Sequence, residues 1–105
     1  MAQHVTVNDF ETEVLGSSLP VLVDFYADWC GPCKMMSPVV ESLAESMADT
    51  VKICKCDVDE NGAVAAKYGI MSIPAFIIFK DGQPVSQKVG ASSPNEFTEW
   101  IKENI

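Results

Sequence analysis

Cysteine is the most chemically versatile residue type in this 105-residue chain, and two of the four cysteines stand together in Trp29-Cys30-Gly31-Pro32-Cys33-Lys34. A Cys-x-x-Cys pair can staple a loop, hold a metal or trade electrons with another molecule. A chain of this length buries roughly 65% of its unfolded surface, so folding does not require a staple. Zinc asks for four ligands, and the remaining candidates are poor. Cys54 and Cys56 lie one residue apart in an apolar run, and His4, the single histidine, stands far off at the N-terminus. Pro32 also removes a backbone N–H of the kind that steadies ligand sulfur in metal loops. A redox dithiol is the stronger reading, and no metal is expected.

The second cysteine pair fits that chemistry badly. On a strand, Cys54 and Cys56 would point to one face about 7 Å apart, an awkward separation for a mutual disulfide. They are expected to be buried, inert thiols.

The elements that must position Cys30 and Cys33 follow from the apolar spacing. Residues 4–7 alternate like a short strand, after which Asn8 or Asp9 can cap a helix whose Phe10 and Val14 share a face. Residues 20–27 form an almost unbroken β-rich run, as in a strand buried on both faces. Beyond the cysteines the period becomes 3.6, with Met36, Val40, Leu43 and Met47 in one stripe and Pro38 inside the helix, where a kink is expected. A second buried-type strand covers 51–58, and a short helix over 63–68 ends with Gly69 at C′. Runs 75–80 and 84–89 flank Asp81-Gly82, a hairpin pair. Ser93-Pro94-Asn95-Glu96 starts the last helix, with Ser93 as N-cap and Glu96 completing a capping box. Phe97, Trp100 or Ile101, and Ile105 should face the core.

The resulting order is β-α-β-α-β-α-β-β-α in one domain, 1–105. Strands joined through helices are expected to run parallel and the last hairpin antiparallel, giving a mixed sheet with helices on both faces. The cysteines then fall where a central strand hands over to a helix, outside the strand's carboxyl end. Cys30 would sit at or just before the helix N-terminus, with Cys33 in the first turn. Unpaired N–H groups and the helix dipole stabilise a thiolate there, so Cys30 should attack and Cys33 resolve.

Other residues stand out against their surroundings. Asp24 interrupts an apolar run; the pattern alone favours a polar tip on a half-exposed strand, whereas burial would raise its pKa and suit it to exchange a proton with Cys33. Lys55, between two cysteines of an apolar strand, is equally out of place. Trp29, in a loop ahead of a helix, is placed to flank an exposed site, and with Gly31, Ile73, Gly90 and Ala91 could form a flat apolar rim. An X–Pro bond such as Ile73–Pro74 is trans by default.

The stretch VDFYADWCGPCKMMSP resembles the active-site segment of the thioredoxin family, and KCDVDEN, KYGIMSIPAFIIFKDG and the late VGA extend the likeness over nearly the whole chain. The resemblance implies a thioredoxin-like three-layer α/β/α fold, with a central mixed five-stranded sheet flanked by four helices. It implies a small protein-disulfide reductase, recharged by a thioredoxin reductase, whose only redox group is the reversible Cys30–Cys33 disulfide, with no bound cofactor. It makes Asp24 the family's buried acid and Lys55 its partner, and it assigns redox tuning to Gly31 and Pro32. It makes Pro74 cis and packed against the dithiol, with Ile73 free to pair with an extended substrate. Trp29, Ile73, Pro74, Gly90 and Ala91 become the docking residues. Ribonucleotide reductase, methionine sulfoxide reductase and peroxiredoxins are targets by the same resemblance, and the chain is expected to be a monomer. Two positions depart from the family pattern: Met71, where relatives often carry Arg, and Ala75, where many carry Thr.

Fifteen acidic against seven basic residues give a formal net charge of −8, unsuited to nucleic acid or anionic membranes. The opening residues MAQHVTVNDF lack the basic and apolar regions of a signal peptide, and no apolar run is long enough to span a bilayer. A cytoplasmic location is therefore expected, where structural disulfides are rare. Oxidase or isomerase relatives usually carry other residues between the cysteines and are exported. A remaining alternative is a binding module or accessory subunit, in which the apolar rim rather than the dithiol is the functional feature.

Overall fold

Five strands form in the structure, a computed structural model that describes residues 2–105. They are β1 (Gln3–His4), β2 (Val21–Tyr26), β3 (Lys52–Asp57), β4 (Ala75–Lys80) and β5 (Gln83–Val89). They pair into one sheet in the order β1-β3-β2-β4-β5. The helices are a short π-type segment (Glu11–Leu15), α1 (Gly31–Ser46), α2 (Gly62–Lys67) and α3 (Pro94–Asn104).

Alternation along β2 divides the core between the two sheet faces. Val21, Val23 and Phe25 meet Phe10, Val14 and Val64 on the side of the short helix and α2. Leu22 meets Met36, Val40, Phe97 and Ile101 on the side of α1 and α3. The sheet is therefore the middle of three layers, and α1 covers one face of the central strand that precedes it.

The expectation of parallel pairing through every helical connection is corrected at β4. β1 and β2 run parallel to β3, but β4 runs antiparallel to β2. The reason is length: six helical residues advance only about 9 Å, whereas a six-residue strand spans about 20 Å. Helix α2 is too short to carry the chain back along the sheet, so β4 starts from the end where β3 finished. The antiparallel β4–β5 hairpin forms as expected, with Asp81 (φ 53°) and Gly82 (φ 78°) both left-handed at its turn.

Two helix starts also differ in detail. The first strand stops at His4, and neither Asn8 nor Asp9 caps the short helix as expected. Instead Thr6 and Asp9 clasp each other: Asp9 accepts the Thr6 N–H, and the Thr6 hydroxyl accepts the Asn8 N–H. At α3 the Ser93 hydroxyl accepts the Glu96 N–H at 3.2 Å, but among the described residues the Glu96 carboxylate makes no return bond, so the capping box is half formed. Helix α1 runs continuously through Pro38. Helix α2 ends as its glycine predicts: Gly69 (φ 66°) follows the last turn, and Ile70 and Gly69 donate to the carbonyls of Ala65 and Ala66.

Candidate active site

Cys30 and Cys33 are joined in a disulfide, their Cα atoms 5.2 Å apart. Cys30 is the N-cap of α1, in extended geometry (φ −86°, ψ 111°), and Pro32 occupies the first turn, where its missing N–H costs no helix bond. The Cys33 N–H points back at the Cys30 sulfur, at 3.2 Å. That donor, together with the positive end of a 16-residue helix, favours negative charge on Cys30 once the disulfide is opened. Exposure does not separate the two cysteines, which are 4% and 6% accessible. The N-cap position does.

The strand period explains what lies beneath them. Asp24 and Lys55 are partners in the β2–β3 register, and both point to the face that α1 covers, with Leu22 and Ile53. Asp24 is 2% exposed, and its Oδ1 has no hydrogen-bond partner. Burial pushes its carboxyl up to about 7, with Lys55 pulling it down and Glu41 adding to the rise. The Lys55 ammonium does not pair with Asp24 directly. It lies 3.4 Å from the Ser37 hydroxyl and 4.6 Å from the centre of the Tyr26 ring, and the one salt bridge among the described residues joins Lys52 to Glu13. A cavity of about 200 Å³ opens between Cys33, Ser37, Lys55 and Tyr26. Cys33 and Lys55 thus line one small cavity.

The opposite face holds Cys54 and Cys56, both fully buried in the cluster with Val23 and Phe25. Burial raises their thiols to about 11 and about 12. The sheet itself stands between them and the dithiol.

Above the disulfide, Ile73 and Ala27 pack against Cys30 and Cys33. The Ile73–Pro74 bond is cis. Among the described residues the backbone N–H and C=O of Ile73 make no backbone hydrogen bond, while Pro74 O accepts the Gly90 N–H at 2.8 Å. Gly90 holds φ 90°, a conformation side chains rarely adopt, and so brings the loop containing Ala91 alongside Pro74. Trp29 is 70% exposed, and its indole N–H donates to Asp59 at 2.8 Å.

Asp59, Ser37 and Tyr26 join the site only in the folded chain. Asp59 had a legible signal: the Asp57 side chain accepts the Asp59 N–H at 2.9 Å, a turn that Asp-x-Asp stretches favour. For Ser37 and Tyr26 the contact with Lys55 crosses between elements, and no local pattern announces it. His4, distant in sequence, lies opposite Lys55 on β1, its Nδ1 3.3 Å from the Tyr26 hydroxyl. Among the described residues no cluster of three or more His, Cys, Asp or Glu could hold a metal ion.

Comparison with known proteins agrees with this geometry. The thioredoxin family model matches residues 1–103. The chain is 48% identical to a thioredoxin of Rickettsia bellii over the full length of both. It is 56% identical to thioredoxin 1 of Synechococcus elongatus over 91 residues, covering 87% of this chain and 85% of that one. It is 44% identical to a thioredoxin of Haemophilus influenzae over 102 residues, covering 97% and 95%. With a disulfide across Cys-Gly-Pro-Cys at the head of a helix and a family match over nearly its whole length, the chain belongs to the thioredoxin family of protein-disulfide reductases, whose redox group is their own cysteine pair.

Proposed function

We propose that Cys30 is the attacking thiol, Cys33 the resolving thiol and Asp24 the proton acceptor of this reductase. The Cys30 thiolate attacks one sulfur of a target disulfide, forming a mixed disulfide and releasing one target thiolate. Cys33 then loses its proton to Asp24 and attacks the Cys30 sulfur. The Cys30–Cys33 disulfide closes, the second target thiolate leaves, and two electrons have passed to the target. Lys55 acts through charge, pulling the Asp24 carboxyl below where burial alone would put it and so favouring the carboxylate that accepts the proton. Gly31 and Pro32 set the turn that aims the Cys33 N–H at Cys30, which fixes the relative stability of the two redox states.

Trp29, Ile73, Pro74, Gly90 and Ala91 form the docking surface. The unpaired backbone of Ile73 supports this reading, since an extended target segment can add to it as a strand. The electrons come from a thioredoxin reductase. The targets include ribonucleotide reductase, methionine sulfoxide reductase and peroxiredoxins, met by a monomer in the cytoplasm whose 105 residues act as one domain. No helix among the described residues is long and apolar enough to cross a membrane.

The observation that carries the assignment of roles is the Cys33 N–H held on the Cys30 sulfur at the helix head. Insulin-disulfide reduction by wild type, Cys30→Ser and Cys33→Ser tests it. Both variants should lose turnover, and Cys33→Ser alone should trap a mixed disulfide. Trapping by Cys30→Ser instead would exchange the two roles, and equal turnover by all three proteins would end the redox reading.

A further inference from the structure

Three large apolar side chains stand exposed on the segment that carries the disulfide and on the loop that packs against it: Trp29 and Met35 on the first, Met71 on the second. Met71 is 96% exposed, the most open of them. It lies two residues before Ile73, which packs on Cys30 and Cys33, and two residues of extended chain span only about 7 Å. The Met71 backbone therefore lies within about 7 Å of a residue that a docking target must cover, and its side chain is open to solvent. We propose that Met71 is a site of peroxide oxidation, and that its sulfoxide weakens target docking and makes the apolar rim sensitive to oxidants. The inference rests on the docking reading above.

The chemistry is closed. The thioether sulfur attacks a peroxide oxygen, the O–O bond breaks, one oxygen stays on sulfur and the other leaves as water. Sulfur has lost two electrons and the peroxide has gained them. The product places a strong hydrogen-bond acceptor on an apolar surface, and a docking target has to strip water from it. The other methionines calibrate access. Met36, on the same helix as Met35, is 2% exposed, whereas Met35 is 74% exposed. The disulfide form suits the experiment, because Cys30 and Cys33 then offer no thiolate to peroxide, and Cys54 and Cys56 are buried.

The disulfide form is treated with hydrogen peroxide, mapped by mass spectrometry, and assayed for insulin reduction with dithiothreitol as electron source. Met71 and Met35 should gain one oxygen before Met36 does. KM for insulin should rise about threefold or more with kcat nearly constant, and methionine sulfoxide reductase should restore it. Each variant is compared with its own untreated form: Met71→Leu should lose the rise on peroxide, and Met35→Leu should keep it. An unmodified Met71, an unchanged KM with Met71 fully oxidised, or the same rise in Met71→Leu would each overturn the proposal. Ile73→Ala separates the two readings. If its KM is unchanged, docking at this edge is wrong; if its KM rises while Met71 sulfoxide has no effect, only the oxidation proposal falls.

Discussion

At the residue scale, Asp24 combines two facts that pull together: it is buried with an unpartnered oxygen, and its carboxyl titrates at about 7 rather than 3.8. Between those values the folded chain holds a proton that the unfolded chain has released. Stability therefore falls as the pH rises from about 4 to about 7, and the loss, roughly 4 kcal/mol at most, is complete above the folded value. Asp24→Asn removes the charge without removing the volume. Urea unfolding of the variant should show higher stability at pH 8, by up to about 4 kcal/mol, and a flatter dependence across that window. The resolving step should slow about tenfold or more at neutral pH, because Cys33 has lost its proton acceptor. A variant with the wild-type pH slope would place the titration on another group. Trp29 yields a second expectation. Its bond to Asp59 fixes an exposed ring at the rim, so Asp59→Ala should raise KM for a protein disulfide about two- to threefold with little change in kcat. A fall in kcat with constant KM would mean that Asp59 acts on the dithiol instead.

At the scale of elements, the terminators prove to be as local as their chemistry. Gly69 closes α2 through a left-handed turn that satisfies two carbonyls, and Gly69→Ala should destabilise the protein by about 1 kcal/mol in urea unfolding. An unchanged midpoint would show that the turn relaxes at no cost. Such features were legible because each is decided within five or six residues: the Asp81-Gly82 turn, the Ser93 cap, the helix stripe through Met36 and Val40. Burial of Asp24 came from the family resemblance, since by pattern alone an acid in such a run favours a half-exposed strand. What was not legible depends on distant partners. The direction of β4 is set by how far α2 can carry the chain, a comparison of lengths rather than a residue signal. Pairing of Lys55 with Ser37 and Tyr26, in place of a direct ion pair with Asp24, depends on how α1 sits over the sheet. The period of two still explains why the four cysteines divide as they do. Cys54 and Cys56 face one side of β3 while Lys55, between them, faces the side of the dithiol.

At the scale of the whole molecule, charge governs encounter rather than chemistry. The chain carries a formal net charge of −8, and acids lie close to the dithiol as well: Asp28 beside Trp29, and Asp59 bonded to its indole. A target approaching the rim meets a negative field that low ionic strength leaves unscreened over about 30 Å and that high salt confines to a few ångströms. The disulfide exchange itself is a short-range event at two nearly buried sulfurs and should feel little of this. Steering and chemistry can therefore be separated with three disulfide peptides of equal length, one basic, one neutral and one acidic. Raising the salt from about 10 mM to about 0.5 M should lower kcat/KM for the basic peptide several-fold, raise it for the acidic one, and leave the neutral one nearly unchanged. The kcat values should stay constant for all three. Equal salt slopes across the three peptides would show that the net charge has no part in target choice and that the apolar rim alone selects. Opposed slopes would mean that the field of the whole chain selects its partners before the rim touches them.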